Sequence, residues 1–205
     1  MMLLAAAILL SLLVSIQNMH ISISSQKLER WVQMGYSKSW QSRVNNQVGK
    51  QLEEMILAGC EYYRIHEIAE INRVPEHFKV IATFRDGFFK GVFTGLAQQD
   101  FAGTLKGGRS IAFEVKATQS DQIKSNVISS EQKKKLNYHQ LMGAMTGVCV
   151  RVKNTYAFIP WQVWCDMKTR YGRLYMTENE VKEFEVRTPG FVDFLNPVKS
   201  DQDGL

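Results

Sequence analysis

The sequence is poor in cysteine and lacks several well-known catalytic motifs. Its 205 residues include only three cysteines, and no two of them have CxxC spacing, which argues against a disulfide framework or a zinc site. The chain has no P-loop, GxGxxG, GxSxG or HExxH motif, so we expect no small-molecule cofactor. Free cysteines fit a reducing compartment, and we therefore expect a cytoplasmic protein.

Positive charge is missing from the beginning of the chain. Residues 1–16 are almost wholly apolar, and the first lysine is Lys27. This run is shorter than the roughly 20 residues of a membrane span, and it lacks the positive region and the cleavage site of a signal peptide. Three interpretations of this run stay open: a signal or anchor segment, an apolar helix, or sequence that lies upstream of a true start at Met19. We expect no membrane attachment.

The composition of the whole chain fits one globular domain with a polyanionic partner. The chain is 45% hydrophobic, which suffices for one core, and its net charge of +5 with a pI near 9.1 favours a partner such as nucleic acid. We expect an N-terminal extension (1–18), an aromatic and basic arm (19–46), a catalytic domain (47–199) and a disordered tail (200–205).

The segment from Asp100 to Lys116 is the most informative part of the sequence. It has the pattern of two short strands joined by a turn at Gly107-Gly108. In the second strand, apolar residues at 111, 113 and 115 alternate with Ala112, Glu114 and Lys116. Glu114 and Lys116 therefore share one face, with their Cα atoms roughly 6.5 Å apart.

Asp100 lies at the far end of the first of these strands. A two-residue hairpin would place Asp100 opposite Val115 and turn its side chain towards the core. One extra residue in the loop, or a bulge near Gly103, would move Asp100 to the face of Glu114. We therefore expect that the pairing is not a plain two-residue hairpin.

Two carboxylates beside an ammonium group suit phosphodiester hydrolysis. The oxygens of Asp100 and Glu114 are hard ligands of the kind that Mg²⁺ prefers. A bound metal lowers the pKa of a water molecule and neutralises charge on the phosphate. Lys116 would orient that water or stabilise the negative charge of the transition state.

These residues resemble the PD-(D/E)xK nuclease motif, although Gln98-Gln99 precede Asp100 where the motif has proline. Flanking matches follow in order: Gly49-Lys-Gln-Leu-Glu53, Glu61-Tyr-Tyr63, Gln99-Asp-Phe-Ala-Gly103, Phe113-Glu-Val-Lys116 and His139-Gln140. Their order and spacing resemble the RecU family of Holliday junction resolvases, from about residue 45 to residue 195.

The resemblance implies a restriction-endonuclease-like core, in agreement with the order of the predicted elements, which is that of an α/β protein with a mixed sheet flanked by helices. It also implies a homodimer that uses Mg²⁺ or Mn²⁺ to cut four-way DNA junctions in recombination and repair. Another nuclease of the superfamily, acting on duplex DNA, and a non-catalytic DNA-binding protein are the alternatives.

The resemblance assigns two further site residues. Glu53 lies at the edge of the apolar stripe of a helix that begins at Gln47 and is expected to end near Gly59. It matches the family's helical acid, and the resemblance makes it a catalytic residue, although the pattern alone also allows a surface glutamate. Gln140 lies in a helix predicted over residues 131–147 and matches a glutamine that the resemblance brings to the metal.

Five basic residues are candidates for contact with DNA: Lys106, Arg109, Lys133, Lys134 and Lys135. The first two flank the glycine turn, where their charges could instead serve only to protect a strand edge from pairing. The other three form a run on the predicted helix, where they could instead be an ordinary solvated face. The aromatic segment Phe78–Phe93 predicts a hairpin about Asp86-Gly87. This hairpin is either part of the core or the projection that enters the junction in RecU-like proteins.

Overall fold

The structure is a computed structural model that describes residues 43, 45–75, 78–93 and 99–198. The chain divides into two units, Met1–Asn46 and Gln47–Leu205, and the elements below belong to the second. The predicted extension (1–18), most of the arm (19–46) and the tail (200–205) lie outside the described residues.

The strands, in chain order, are β1 (Ala69–Arg73), β2 (Phe78–Thr83), β3 (Phe89–Phe93), β4 (Phe101–Leu105), β5 (Ser110–Thr118), β6 (Gln122–Lys124), β7 (Met145–Val152), β8 (Thr155–Pro160), β9 (Tyr175–Thr177), β10 (Val186–Arg187) and β11 (Asp193–Pro197). The helices are α1 (residues 47–65 of this unit), α2 (Ser130–Leu141), α3 (Trp161–Cys165), α4 (Met167–Tyr171) and α5 (Glu178–Val181). Short 3₁₀ helices lie at Ser125–Val127 and Lys182–Phe184.

A mixed sheet forms the centre of this unit, with its strands in the order β1-β4-β5-β7-β8. Only the β5–β7 pair is parallel within this sheet, and α2 lies in the connection between these two strands. One buried cluster packs Phe113 of β5 with α1, and another packs Ala112 with α2 and α3. Adjacent strand residues point to opposite faces, so helices cover both faces and the predicted α/β fold is confirmed.

The pairing of β4 with β5 brings Asp100 to the face of Glu114. Phe101 pairs with Phe113 and Thr104 with Ser110 in a regular register, which puts Asp100 level with Glu114. The backbone N–H of Leu105 donates to the carbonyl of Arg109, so three residues, 106–108, form the loop. The expected departure from a two-residue hairpin is confirmed, and its cause is the extra loop residue.

The alternative of a bulge at Gly103 is wrong. Gly103 pairs in register with Ile111 on one side and Ile71 on the other. A Cβ atom at this position would lie 2.1 Å from the carbonyl oxygen of Glu70. Glycine is therefore required because the backbones of β1 and β4 approach closely here.

The hairpin of β2 and β3 is exposed rather than part of the core. The two strands pair only with each other within the described residues, and every residue of β2 is exposed. Phe78 stacks on Phe89, and Phe88 is 73% exposed. The core alternative for this segment is therefore wrong.

Two predicted helix ends differ from the structure. Helix α1 continues six residues past Gly59 to residue 65, and a Cβ atom at Gly59 would lie 2.6 Å from the carbonyl oxygen of Val192, so this glycine serves close packing. Helix α2 ends at Leu141 rather than Gly147, because Gly143 has a φ of +86° and strand β7 then begins at Met145.

Within the described parts of the chain, no helix is both long enough and apolar enough to span a membrane.

Candidate active site

Asp100, Glu114 and Lys116 meet at one point on the central sheet. The Nζ atom of Lys116 lies 3.1 Å from Oε2 of Glu114 and 3.5 Å from Oδ2 of Asp100. The backbone N–H of Val115 donates to the same Asp100 oxygen at 2.7 Å. The two carboxylates and the ammonium group thus form one charged cluster, held by neighbouring strands.

Burial sets the chemistry of Glu114. Its side chain is fully buried, whereas those of Asp100 and Lys116 are 33% and 23% exposed. Loss of solvation, followed by the negative charge of Asp100, raises the pKa of Glu114 to about 8, and the ammonium group of Lys116 only partly opposes this rise. In the protein without a cation, Glu114 therefore keeps its proton at neutral pH.

One oxygen of Glu114 has no hydrogen-bond partner among the described residues. Oε1 is buried and makes no hydrogen bond within the described structure, although a buried carboxylate oxygen is costly to leave unsatisfied. No group of three or more His, Cys, Asp or Glu side chains with metal-binding geometry occurs in the described ranges. The pair of Asp100 and Glu114 nevertheless fits a divalent cation that keeps several waters, since both offer hard oxygen ligands.

Gln132 is a site residue that the sequence did not reveal. Its Nε2 donates a short hydrogen bond to Oε2 of Glu114. Its Oε1 accepts from the backbone N–H of Ser129, and its own N–H donates to the Ser129 hydroxyl, so the two residues form a capping box. Because the backbone N–H fixes which end of the amide is oxygen, the NH₂ group must face Glu114. The Ser-x-x-Gln spacing was the available signal.

Comparison with known proteins places the chain in a family. The family model described as RecU, Recombination protein U, matches residues 47–200. The chain belongs to the RecU family. A search of curated proteins gave no match.

Among solved structures, the RecU chain is similar to Hjc from Archaeoglobus fulgidus, a Holliday junction resolvase from an archaeal hyperthermophile. The two share 14% sequence identity, and the alignment covers 67% of this chain and 86% of the Hjc chain with a TM-score of 0.38.

Gln140 of this RecU protein does not lie beside Glu114. It is exposed near the end of α2, eight residues from Gln132 and thus about 12 Å further along the helix. With Arg109 and Trp161 it lines a separate cavity of about 520 Å³. The expected contact of Gln140 with a metal therefore finds no support in this position, and the α2 side chain that contacts Glu114 is Gln132.

Glu53 of the RecU chain has a partner that the sequence did not indicate. Its carboxylate, 32% exposed, pairs with the guanidinium of Arg73 at 3.1 Å. Arg73 ends β1, opposite Phe101, and the next N–H, that of Val74, donates to the carbonyl of Asp100. Glu53 is thus half-buried, as expected. Its contact is with Arg73, at the end of the strand that pairs with β4 beside Asp100, and not with the carboxyl groups of Asp100 and Glu114.

The five predicted DNA-binding residues lie in two places. Lys133, Lys134 and Lys135 directly follow Gln132 on α2, so they begin next to the carboxylate pair. Lys134 also pairs with Glu131 at 3.4 Å, and both side chains are largely exposed. Lys106 and Arg109 lie at the opposite end of β5, where Arg109 donates to the carbonyl of Gly143; Arg109 is five residues, or about 16 Å, from Glu114.

Proposed function

We propose that this RecU protein is a divalent-metal-dependent endonuclease that resolves Holliday junctions. The observation that carries the proposal is the buried carboxyl group of Glu114, which has one oxygen without a partner among the described residues and lies next to Lys116, itself in contact with Asp100. A non-catalytic DNA-binding protein has no need of this arrangement, because a buried acid next to a second acid costs stability.

Asp100 and Glu114 would hold the cation. A divalent cation bound there supplies charge neutralisation at the phosphate and lowers the pKa of a water molecule. The pKa of about 8 keeps Glu114 protonated at neutral pH in the free protein, so a cation held by this residue would have to displace its proton. We infer Mg²⁺ as the natural metal, with Mn²⁺ as a substitute, since both ligands are hard oxygens.

Lys116 supplies a fixed positive charge beside the reacting phosphate. Its ammonium group contacts the carboxyl groups of both Asp100 and Glu114, so it is positioned before substrate arrives. There it stabilises the charge that develops on the phosphate oxygens and orients the attacking water. Gln132 holds the Glu114 carboxylate in place, and Glu53 acts at a distance through Arg73.

We further propose that the protein acts as a cytoplasmic homodimer. Resolution of a four-way junction needs two strands cut in a symmetric manner, and a two-fold dimer supplies two sites in that relation. Lys133, Lys134 and Lys135 would contact phosphates near the cut, with Lys106 and Arg109 further away. Light scattering that gave a monomer both alone and bound to a junction would contradict this part of the proposal.

The test is a cleavage assay on a labelled four-way junction and on a linear duplex of the same sequence, with and without Mg²⁺. We expect paired, symmetric nicks near the crossover from the wild-type protein. Lys116→Ala and Asp100→Asn should each lower the rate by about 100-fold or more, whereas Lys182→Gln, at an exposed lysine of a 3₁₀ helix, should not.

The other outcomes are informative. Equal cutting of the linear duplex would replace the resolvase with another PD-(D/E)xK nuclease. Binding of the junction without cutting under any metal condition would overturn the enzymatic proposal.

A further inference from the structure

A groove of about 330 Å³ extends from the active site past Lys116. It is formed by the end of β5, the bend that follows, β6 and the 3₁₀ helix at Ser125–Val127. Its lining includes Lys116, Thr118, Ser120, Gln122, Lys124 and Val127. The groove is therefore continuous with the catalytic lysine but includes neither Asp100 nor Glu114.

The lining combines apolar, polar and positively charged surface, the last of these at Lys116 and Lys124. Apolar side chains include Val127, which is 42% exposed. Hydroxyl and amide groups come from Thr118, Ser120 and Gln122. A deoxynucleotide offers a matching group for each, because it has an apolar sugar face, polar base edges and a negatively charged phosphate. The volume lies at the lower end of the range for small-ligand sites, which suits one nucleotide.

Lys124 gives this groove a free positive charge. It is exposed at the end of β6, which is anchored by its pairing with β9. Lys124 takes part in no ion pair within the described ranges, whereas Lys116 is engaged by two carboxylates. The charge of Lys124 is thus available to an anion that lies in the groove.

We propose that this groove holds the nucleotide next to the cut in the cleaved strand and that Lys124 contacts its phosphate. The inference rests on the proposed nuclease function, because the strand must pass Lys116 to reach the groove. It adds a positioning residue and a subsite for the flanking nucleotide. The occupant is a DNA strand rather than a free nucleotide, since the groove opens from the point where the scissile phosphate would lie.

The first test compares Lys124→Gln with the control Lys182→Gln. The control also removes an exposed lysine, but Lys182 lies away from the groove, next to Glu183, which lines the separate cavity that contains Arg109. Binding of a four-way junction is measured without divalent metal over a series of salt concentrations. Loss of one phosphate contact should make the slope of log K against log salt shallower by about 0.9 and weaken binding about fivefold at roughly 0.15 M salt. The control should keep the wild-type slope.

The second test uses junctions in which single phosphates near the cut are replaced by neutral methylphosphonates. At one position next to the scissile phosphate, the neutral group should weaken binding by the wild-type protein about fivefold and leave Lys124→Gln unaffected. Such non-additivity shows direct contact. Multiplicative effects at every position, or a wild-type slope for Lys124→Gln, would overturn the inference.

These outcomes are separable from failure of the proposed function. If the wild-type protein cuts junctions and Lys124→Gln binds and cuts as the wild type does, only the groove assignment is wrong. If the wild-type protein cuts no DNA with any divalent metal, the proposed function fails first. Tight binding of free deoxynucleotide that competes with the junction and is lost in Lys124→Gln would replace the strand by a mononucleotide ligand and also overturn the inference.

Discussion

Glu114→Gln should abolish the pH dependence that a buried glutamate imposes on stability. Without metal, the pKa of Glu114 rises from an ordinary value near 4.5 to about 8 in the folded protein. Between these pH values the unfolded chain releases a proton that the folded chain keeps, so the free energy of unfolding falls as pH rises. The slope is about −1.4 kcal/mol per pH unit, which gives a loss of about 2 to 3 kcal/mol between roughly pH 5 and pH 7.

The assay is urea unfolding followed by circular dichroism, in the presence of a chelator, at several pH values. The quantity of interest is the free energy of unfolding of the wild type minus that of Glu114→Gln, because the other titrating groups are common to both. This difference should fall steadily from about pH 5 to pH 8 and then level off. Glu54→Gln, at an exposed glutamate of α1, controls for the loss of one negative charge. A difference that does not change with pH would refute the reasoning.

Two further substitutions test the site and the fold. Gln132→Leu should weaken Mg²⁺ binding about tenfold in a calorimetric titration, because second-shell partners orient metal ligands, whereas Gln140→Leu should bind as the wild type does; equal losses would contradict the assignment. Gly103→Ala should lower the free energy of unfolding by about 3 kcal/mol or more, since its Cβ would overlap the backbone of β1. Gly49→Ala, at a helical position with nothing within 4 Å, should instead stabilise by about 0.5–1 kcal/mol; the reverse order in thermal unfolding would be inconsistent with the structure.

The strand pattern of the active site could be predicted because a two-residue alternation is a local property of the chain. Glu114 and Lys116 had to share a face once β5 was recognised. The position of Asp100 depended on one residue of loop length, which composition does not determine, since either a two-residue or a three-residue loop can contain Gly107-Gly108. The sequence therefore allowed only the statement that the pairing is not a plain hairpin.

The glutamine of the site was misassigned for a different reason. His139-Gln140 matched a short family motif, but the position of α2 against β5 depends on tertiary packing and on its N-terminal cap at Ser129. The first turn of this helix contacts Glu114 through Gln132. The partner of Glu53 was missed similarly, because Arg73 lies 20 residues away in sequence on another element. Contacts between elements are not encoded in spacing along the chain.

The central claim is that Asp100 and Glu114 together bind a divalent cation. Titration of the protein alone with Mn²⁺, followed by electron paramagnetic resonance of the free ion, tests it most directly. Asp100→Asn removes a charge yet can still accept the hydrogen bond from the N–H of Val115, so it separates binding from folding. The account predicts one bound ion per chain in the wild-type protein and at least about tenfold weaker binding in Asp100→Asn. Equal binding by the two proteins, or none by the wild type, would contradict it.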